Sequence, residues 1–237
     1  MSLETHIAGS EDQLIDGLAF TGRNTASYIT ERRSCSFQPQ SGGLFSAKGV
    51  RLLRFNLADQ TGWLAGETVR LVLTIENQNM VPLVPITDSP ASLLRRLRVI
   101  CNGSAIIEDV EEYGRVHQMF SNLLPSDRKY NDIREGWGAT GAPGTLDRPF
   151  VIEEIPGDSS RTVVVHLMSS FLSQPKNIPL AMVPLILEVE IGALDDAFYG
   201  TGNNWIITRP RLIADVYTID TQLSNSFTSH VLQGRSL

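Results

Sequence analysis

Cysteine is scarce in this 237-residue sequence, and so are long hydrophobic runs. The two cysteines, Cys35 and Cys101, lie in strand-like runs, where two buried free thiols are expected rather than a disulfide or a metal-binding pair. A chain without disulfides is typical of assembly in a reducing compartment. The longest apolar run, Ala181–Leu187, is interrupted by Pro184 and is too short to cross a bilayer, so no membrane span is predicted. No apolar run follows a charged start, so no signal peptide is predicted.

Positive charge is also in deficit. The 20 lysines and arginines are outnumbered by 26 acidic residues, which gives a formal net charge of −6. A protein that coats nucleic acid needs a basic surface to displace counterions, so no direct nucleic-acid readout is predicted. The arginines of the first half lie mostly on predicted strands, where solvated or interface-facing side chains are expected: Arg32, Arg33, Arg51, Arg54, Arg95, Arg96 and Arg98.

Motifs of catalysis and of cofactor binding are missing. The four histidines form no His-x-His or His-Glu-x-x-His pattern, so a metal site has no ligand set. No Gly-x-Ser-x-Gly elbow occurs, and Gly200-Thr201-Gly202 has only two glycines of a phosphate-binding loop and is interpreted as a turn. His117 lies on the apolar face of a predicted helix and is expected to be a core histidine. We therefore predict no enzyme, no cofactor and no bound metal.

The most informative stretch is Ser92–Leu124. Leu93–Cys101 alternates and predicts a strand, Asn102-Gly103 is typical of a tight β-hairpin, and Ala105–Glu108 predicts the returning strand. The period then changes from two residues to that of a helix, with Asp109 as its N-cap. The predicted apolar face of this helix holds Val110, Tyr113, His117, Phe120 and Leu124.

Seven further strands are predicted, all from runs of apolar and β-branched residues: Tyr28–Phe37, Val50–Leu57, Glu67–Asn77, Arg148–Ile155, Arg161–Ser169, Met182–Ile191 and Asn204–Ile219. Pro210 interrupts the last of them and indicates a bent or edge strand. A turn carrying Trp63 as an aromatic plug is predicted between the second and third. Asp220 is the predicted cap of a final helix, in which Leu223, Phe227 and Val231 share one face.

Eight or nine strands joined by long, irregular connections predict an all-β fold, an antiparallel eight-stranded jelly-roll sandwich with an inserted helix and a C-terminal helix. We place an N-terminal arm at residues 1–27, the jelly-roll domain at 28–219, and a C-terminal helix or linker at 220–237. The polar arm, Met1–Ala26, lacks sustained periodicity. The loop Ser126–Asp147 is interpreted either as a contact-making loop or as a surface excursion anchored by Trp137.

Several runs of residues point to one family: Tyr28–Gln40, Arg51–Leu57, Leu94–Gly103 and Ile107–Phe120. They resemble jelly-roll capsid proteins of icosahedral eukaryotic DNA viruses, in the double jelly-roll major capsid lineage. The ending, Asp220–Leu237, resembles the helical link from the first roll to the second in such proteins. A double jelly roll needs about twice this length. The resemblance therefore implies either one half of a split or truncated protein, or a single-roll relative such as a penton or minor capsid protein.

The resemblance implies a structural subunit of an icosahedral capsid, located in the virion and assembled in the host cytoplasm or nucleus. Its partners would be other capsid subunits, in a homo-oligomer (a trimer or pentamer) or together with a second jelly-roll chain. The arm Met1–Ala26, the loop Ser126–Asp147 and the helix Asp220–Leu237 are expected to make the intersubunit contacts. Arginine is favoured where charge is partly desolvated, and the individual interface candidates are Arg95, Arg96, Arg98, Trp137, Leu223 and Phe227.

Two other functions are consistent with a β-sandwich. The main alternative is a module that binds glycan through Trp63, Trp137 or Trp205. Such a module would be a small monodisperse species that binds sugar, whereas a capsid subunit would form larger assemblies. An enzyme on a jelly roll would need a metal ion, which elemental analysis of the pure protein would detect.

Overall fold

The structure is a computed structural model that describes residues 29–59, 61–87, 89–123, 136–137 and 153–232. The described residues belong to two units, a body of Glu31–Ile219 and a second unit that contains Ile29, Thr30 and the C-terminal helix. The arm Met1–Ala26, most of the loop Ser126–Asp147 and the first five residues of the strand predicted at Arg148–Ile155 lie outside the described residues. The predicted boundaries after residues 27 and 219 stay predictions.

Within the described ranges, the chain forms ten strands and two α-helices. The strands are β1 (Ile29–Phe37), β2 (Leu52–Leu57), β3 (Gly62–Leu64), β4 (Arg70–Asn77), β5 (Leu94–Cys101), β6 (Ala105–Glu111), β7 (Ser160–His166), β8 (Ile178–Pro179), β9 (Leu185–Ile191) and β10 (Trp205–Ile219). The helices are α1 (Tyr113–Ser121) and α2 (Thr221–Leu232), and short 3-10 turns occupy Gly66–Thr68 and Pro90–Leu93. None of the helices in this part of the chain is long and apolar enough to cross a membrane.

The strands form two sheets with the topology of a jelly roll. In the six-stranded sheet, β10 pairs with β4, β3 and β1, while β7 lies beside β4 and β8 beside β3. The four-stranded sheet has the order β2-β9-β5-β6. The chain repeatedly crosses between the sheets, from β1 to β2, to β4, to β5 and β6, to β7, to β9 and back to β10. These eight strands confirm the predicted sandwich, and the short strands β3 and β8 are additions to it.

The core lies between the sheets because β2, β4, β5, β7, β9 and β10 each bury apolar side chains, whereas β1 and β6 are mostly exposed. The alternation predicts these inward faces correctly, and the residues in question are almost completely buried: Leu53, Phe55 and Leu57; Leu71, Leu73 and Ile75; Val163 and Val165; Leu185, Leu187, Val189 and Ile191. Complete burial of one such side chain contributes about 1.5–3 kcal/mol to stability. Both cysteines are free and half-buried, packed against the edge of this core rather than inside it.

Pro210 lies at an irregularity in β10, but β10 is not an edge strand. Of the two predicted alternatives, a bent strand or an edge strand, the edge strand is wrong. The pairing of β10 with β4 shifts register between Thr208 and Arg211, and Arg209 has a φ of 49°. A proline has no N–H to donate to the ladder, and a bulge is the place where a central strand tolerates that loss. β10 therefore continues through the proline as a bulged strand at the centre of its sheet.

The hairpin after β5 forms as predicted, with φ of 49° at Asn102 and 77° at Gly103. The predicted start of the following helix is wrong. Asp109 stays in β6, opposite Arg98, and the helix begins after Glu112, whose φ of 50° turns the chain out of the sheet. Trp63 also differs from its prediction, because it lies half-buried in the short strand β3 and not in a turn.

The final helix begins as predicted. The Asp220 carboxylate accepts a hydrogen bond from the backbone N–H of Gln222 at 3.0 Å, which caps the first turn of α2.

Candidate interaction surfaces

The outer face of the four-stranded sheet carries columns of alternating charge. In one row across the sheet, Arg54 on β2 lies opposite Glu188 on β9, and Glu188 lies opposite Arg98 on β5. Arg98 in turn faces Asp109 on β6. The neighbouring row, in the same strand order, is Leu52, Glu190, Arg96 and Glu111. Each charged strand therefore has oppositely charged neighbours, an arrangement that stabilises cross-strand pairs.

Arg96 and Arg98 both form ion pairs within these rows, which we call the charge lattice. Arg96 donates to both carboxylate oxygens of Asp109, at 2.7 and 2.6 Å, and Arg98 donates to Asp109 Oδ2 at 3.2 Å. The hydrogen bonds from Arg96 are the main reason why the pKa of Asp109 lies below its usual value. A second carboxylate, Glu188, lies 3.7 Å from Arg98 and 3.5 Å from Arg54.

The charge lattice has no net charge because it contains four arginines and four carboxylates. The arginines are Arg51, Arg54, Arg96 and Arg98, and the carboxylates are those of Asp109, Glu111, Glu188 and Glu190. A self-neutralised face has no excess positive charge for phosphate groups.

Arg95 is separated from its two neighbours in sequence. A register shift between Leu94 and Arg96 places it at a bulge, where it lies 3.9 Å from Glu112 and remains exposed. It lines a cleft of about 260 Å³ between the start of β5 and α1, together with Arg115 and Asp196. The three predicted interface arginines therefore belong to two different surfaces.

Trp137 lies inside the body. Its ring is fully buried, 5.9 Å from that of Phe198, and its Nε1–H donates to the carbonyl oxygen of Thr87 at 2.8 Å. Trp205 is equally buried, with its ring 5.8 Å from that of Phe198, and its Nε1–H donates to the carbonyl oxygen of Leu194 at 2.9 Å. Neither ring has an exposed face in this chain. The roles predicted for them, Trp137 as an interface residue and both as glycan-binding residues, stay predictions.

The helical candidates lie together on α2. Leu223 and Phe227 are one turn apart, and Leu223 is exposed. His117 on α1 is a buried histidine, as predicted, with Ser89 Oγ 3.3 Å from its Nδ1 and the Tyr113 ring 5.9 Å away. Among the residues that the structure describes, no three His, Cys, Asp or Glu side chains are grouped as metal ligands.

One surface was not predicted from the sequence. Three loops that connect the strands at one end of the sandwich, residues 78–89, 153–159 and 192–204, are hydrogen-bonded to one another and expose a cluster of large apolar side chains. The sequence gives no alternating pattern here, because residues 80–86 are all apolar; only the structure shows that buried Leu83 and Pro85 alternate with exposed Val84 and Ile86. A short apolar run with two prolines does not predict a strand.

No protein-family model matches the sequence, and no curated protein is detectably similar to it. Solved structures are similar. Against VP54 of PBCV-1, fitted into a cryo-EM reconstruction of the virophage Sputnik, the TM-score is 0.60 at 13% identity, over 88% of this chain and 47% of that chain. A chain of the quasi-atomic PBCV-1 capsid gives 0.56 at 13% identity, over 88% and 47%.

A chain of the Sputnik virophage structure gives a TM-score of 0.53 at 11% identity, over 86% of this chain and 52% of that chain. Similarity at this identity establishes the fold, which is the jelly roll of these viral chains. The present chain spans about half the length of the structures that it matches.

Proposed function

We propose that this chain is a structural subunit of an icosahedral virus capsid and acts by packing against other subunits. The observation that carries the proposal is the fold itself. The two-sheet topology superimposes on VP54 of PBCV-1 with a TM-score of 0.60 over 88% of the chain, and a PBCV-1 capsid chain gives 0.56. The resemblance stated for the strand and helix segments of the sequence points to the same assignment.

The body has the physical properties that a shell subunit needs. A core of complementary strand faces makes it rigid, and a rigid partner loses little conformational entropy when it associates. The charge lattice on the four-stranded sheet fixes the outer surface of β2, β9, β5 and β6 by ion pairs within the chain. Permanent contacts between such subunits usually bury about 2,000–5,000 Å².

The partners in the proposal are other capsid subunits. The chain corresponds to about half of the matched chains, so a second jelly roll would be supplied either by another copy, in a trimer or pentamer, or by a different chain. The product of assembly is a component of the virion. In this proposal the subunit has no catalytic role and does not read nucleic acid.

We assign the contacts outside the sandwich to the arm Met1–Ala26, the loop Ser126–Asp147 and the helix Asp220–Leu237. Among the individual candidates, Arg95 and Leu223 have exposed side chains. Limited proteolysis of free subunits and of assembled particles tests this assignment. The three segments should be cut in the free subunit and protected in the particle, and equal cleavage in both states contradicts the assignment.

The proposal is tested by the assembly state of the purified protein. Sedimentation velocity over a hundredfold range of concentration, followed by negative-stain electron microscopy, should show trimers, pentamers or larger shells. If the second jelly roll belongs to a different chain, the two chains are co-expressed and the mixture is measured in the same way. A protein that remains a monomer in both samples at the highest concentration overturns the proposal.

A further inference from the structure

Large apolar side chains are exposed together at one end of the sandwich. It comprises Met80, Val81, Val84, Ile86 and Tyr199, which are 89, 68, 42, 38 and 62% exposed. These fractions correspond to roughly 600 Å² of exposed residue surface, backbone and the tyrosine hydroxyl included, so the apolar part lies within the range of about 300–600 Å² for the largest apolar patch of an ordinary monomer, which is often functional. We call these five residues the apolar platform.

Backbone hydrogen bonds between the three loops hold the platform in place. Leu83 and Ile155 exchange both backbone hydrogen bonds at 2.9 Å, the N–H of Ile86 donates to the carbonyl oxygen of Ala197 at 3.0 Å, and the N–H of Tyr199 donates to that of Val84 at 2.8 Å. The side chains of Leu83 and Ile155 point inward and are buried. The exposed side chains therefore stand on a fixed backbone, and little conformational entropy would be lost if a partner covered them.

A single buried amide fixes the loops that carry the platform. Asn77 Nδ2 donates to the carbonyl oxygens of Val81, Ile155 and Pro156, at 2.9, 3.1 and 3.0 Å. Gly157 lies so close to the platform loop that a Cβ added there would be 2.2 Å from the carbonyl oxygen of Met80. Two of the three loops are thus locked together directly beneath Met80 and Val81.

The platform residues themselves are uncharged. Residues 79–87 and 197–204 include no lysine, arginine, aspartate or glutamate, although the whole chain has a formal net charge of −6. The charges beside the platform lie on the third loop: Glu154, Asp158 and Glu153, the last of which pairs with Arg161. Two copies of an acidic chain repel each other wherever like charges meet, but an uncharged surface can be buried without that cost. Methionine and tyrosine are also residues that protein interfaces favour.

We propose that the apolar platform is a contact surface for a second copy of this chain. The proposal rests on the proposed function and specifies the surface through which copies meet. A standard interface buries about 800 Å² on each partner, so the roughly 600 Å² of the platform with a narrow polar rim is sufficient for one contact. Nucleic acid is a poor occupant because the platform offers no cation to a phosphate.

The test compares two platform variants with a control at the opposite end of the sandwich. Met80→Ser and Tyr199→Ser remove exposed apolar area and leave the backbone hydrogen bonds in place. Ile106→Ser is the matched control, since Ile106 is 54% exposed and follows the Asn102-Gly103 turn, at the other end of β5. Circular dichroism of all variants establishes that each is folded.

Sedimentation equilibrium then gives the dissociation constant of the first oligomer. We expect an increase of about tenfold for each platform variant, about a hundredfold for the double variant, and less than about twofold for Ile106→Ser. If the wild-type chain assembles and the double variant assembles equally well, this inference is wrong and the proposed function stands. If the wild-type chain does not assemble with itself, this inference is wrong; the proposed function is wrong as well only if the chain also stays monomeric with a second jelly-roll chain.

Oxidative footprinting gives a second readout that does not depend on a variant. Met80 is almost fully exposed in the free chain, so hydrogen peroxide should convert it rapidly to the sulfoxide. Assembly should slow this oxidation at least tenfold. Oxidation of Met80 at equal rates in dilute free chain and in assembled material would show that a different surface mediates the contact between copies.

Discussion

A substitution of Trp137 tests whether this side chain is a buried packing residue or a surface residue. The ring is fully buried against Phe198, and its Nε1–H donates to the carbonyl oxygen of Thr87 at 2.8 Å. Trp137→Ala removes these contacts and leaves a cavity, so we expect the free energy of unfolding to fall by about 3–5 kcal/mol. Trp137→Phe retains most of the apolar contact but leaves the Thr87 carbonyl without its donor, which should cost about 1–3 kcal/mol.

The measurement is urea unfolding followed by far-ultraviolet circular dichroism, at a low and fixed protein concentration so that assembly does not contribute. Trp63→Phe is the control, because Trp63 is half-buried at the surface strand β3, and we expect less than about 1 kcal/mol there. A surface residue changes stability by at most about 0.5 kcal/mol. A Trp137→Ala protein within that range of the wild type would refute the packing described for the loop around residue 137.

Two substitutions and one quenching measurement probe further local features. Burial is the largest influence on Glu108 and raises its pKa, but hydrogen bonds from Ser169 and Ser170 together outweigh burial and lower the pKa below 4.5. The ionised Glu108 carboxylate therefore stabilises the folded state above pH 4.5, and this stabilisation is lost as the pH falls through the pKa that Glu108 has in the folded state. The unfolding free energy of Glu108→Gln should fall less steeply between pH 5 and pH 3 than that of the wild type, and parallel curves would exclude this role. Gly103 has a φ of 77°, so Gly103→Val should cost about 1–3 kcal/mol in thermal unfolding, and an unchanged melting temperature would contradict the turn geometry. Acrylamide should quench the emission of one tryptophan, Trp63, and quenching of all three would contradict the burial of the other two.

The sequence predicted the strands well wherever one face is buried and the other is solvated. In β4, Leu71, Leu73 and Ile75 are all completely buried. Period-two alternation is a direct consequence of a sandwich, because adjacent side chains point to opposite faces of a sheet. The same physics explains why the jelly-roll architecture could be predicted from the strands and their long connections.

The errors occur where a long-range contact overrides a local preference. Asp109 has the features of an N-cap, but two hydrogen bonds from Arg96 hold it in β6 and delay the helix until Tyr113. Pro210 normally marks an edge strand, but a bulge next to it allows β10 to remain central. Arg96 lies across the predicted hairpin, 13 residues from Asp109, but its hydrogen bonds to the carboxylate become apparent only once the two strands are paired. β4 is more than a hundred residues from β10, so no short sequence window contains that pairing.

The apolar platform could not have been predicted for a related reason. Its members come from two loops, and a third loop supports them through the pairing of Leu83 with Ile155. In the sequence, Met80–Ile86 is a proline-containing loop and Tyr199 is an isolated aromatic residue near two glycines. Only the folded arrangement shows that these residues are exposed on the same rigid base.

The distribution of charge decides which of the observed surfaces is suited to contact between copies. Arg96 and Arg98 are attractive interface candidates in the sequence, but both already pair with Asp109, and a partner would have to displace that carboxylate. Breaking such a pair in order to form another gives little net affinity. The apolar platform has no internal partner to displace. Added salt would screen the repulsion between acidic copies but would not weaken the apolar contact. Association through the platform is therefore expected to strengthen with salt, whereas association through the arginines would weaken.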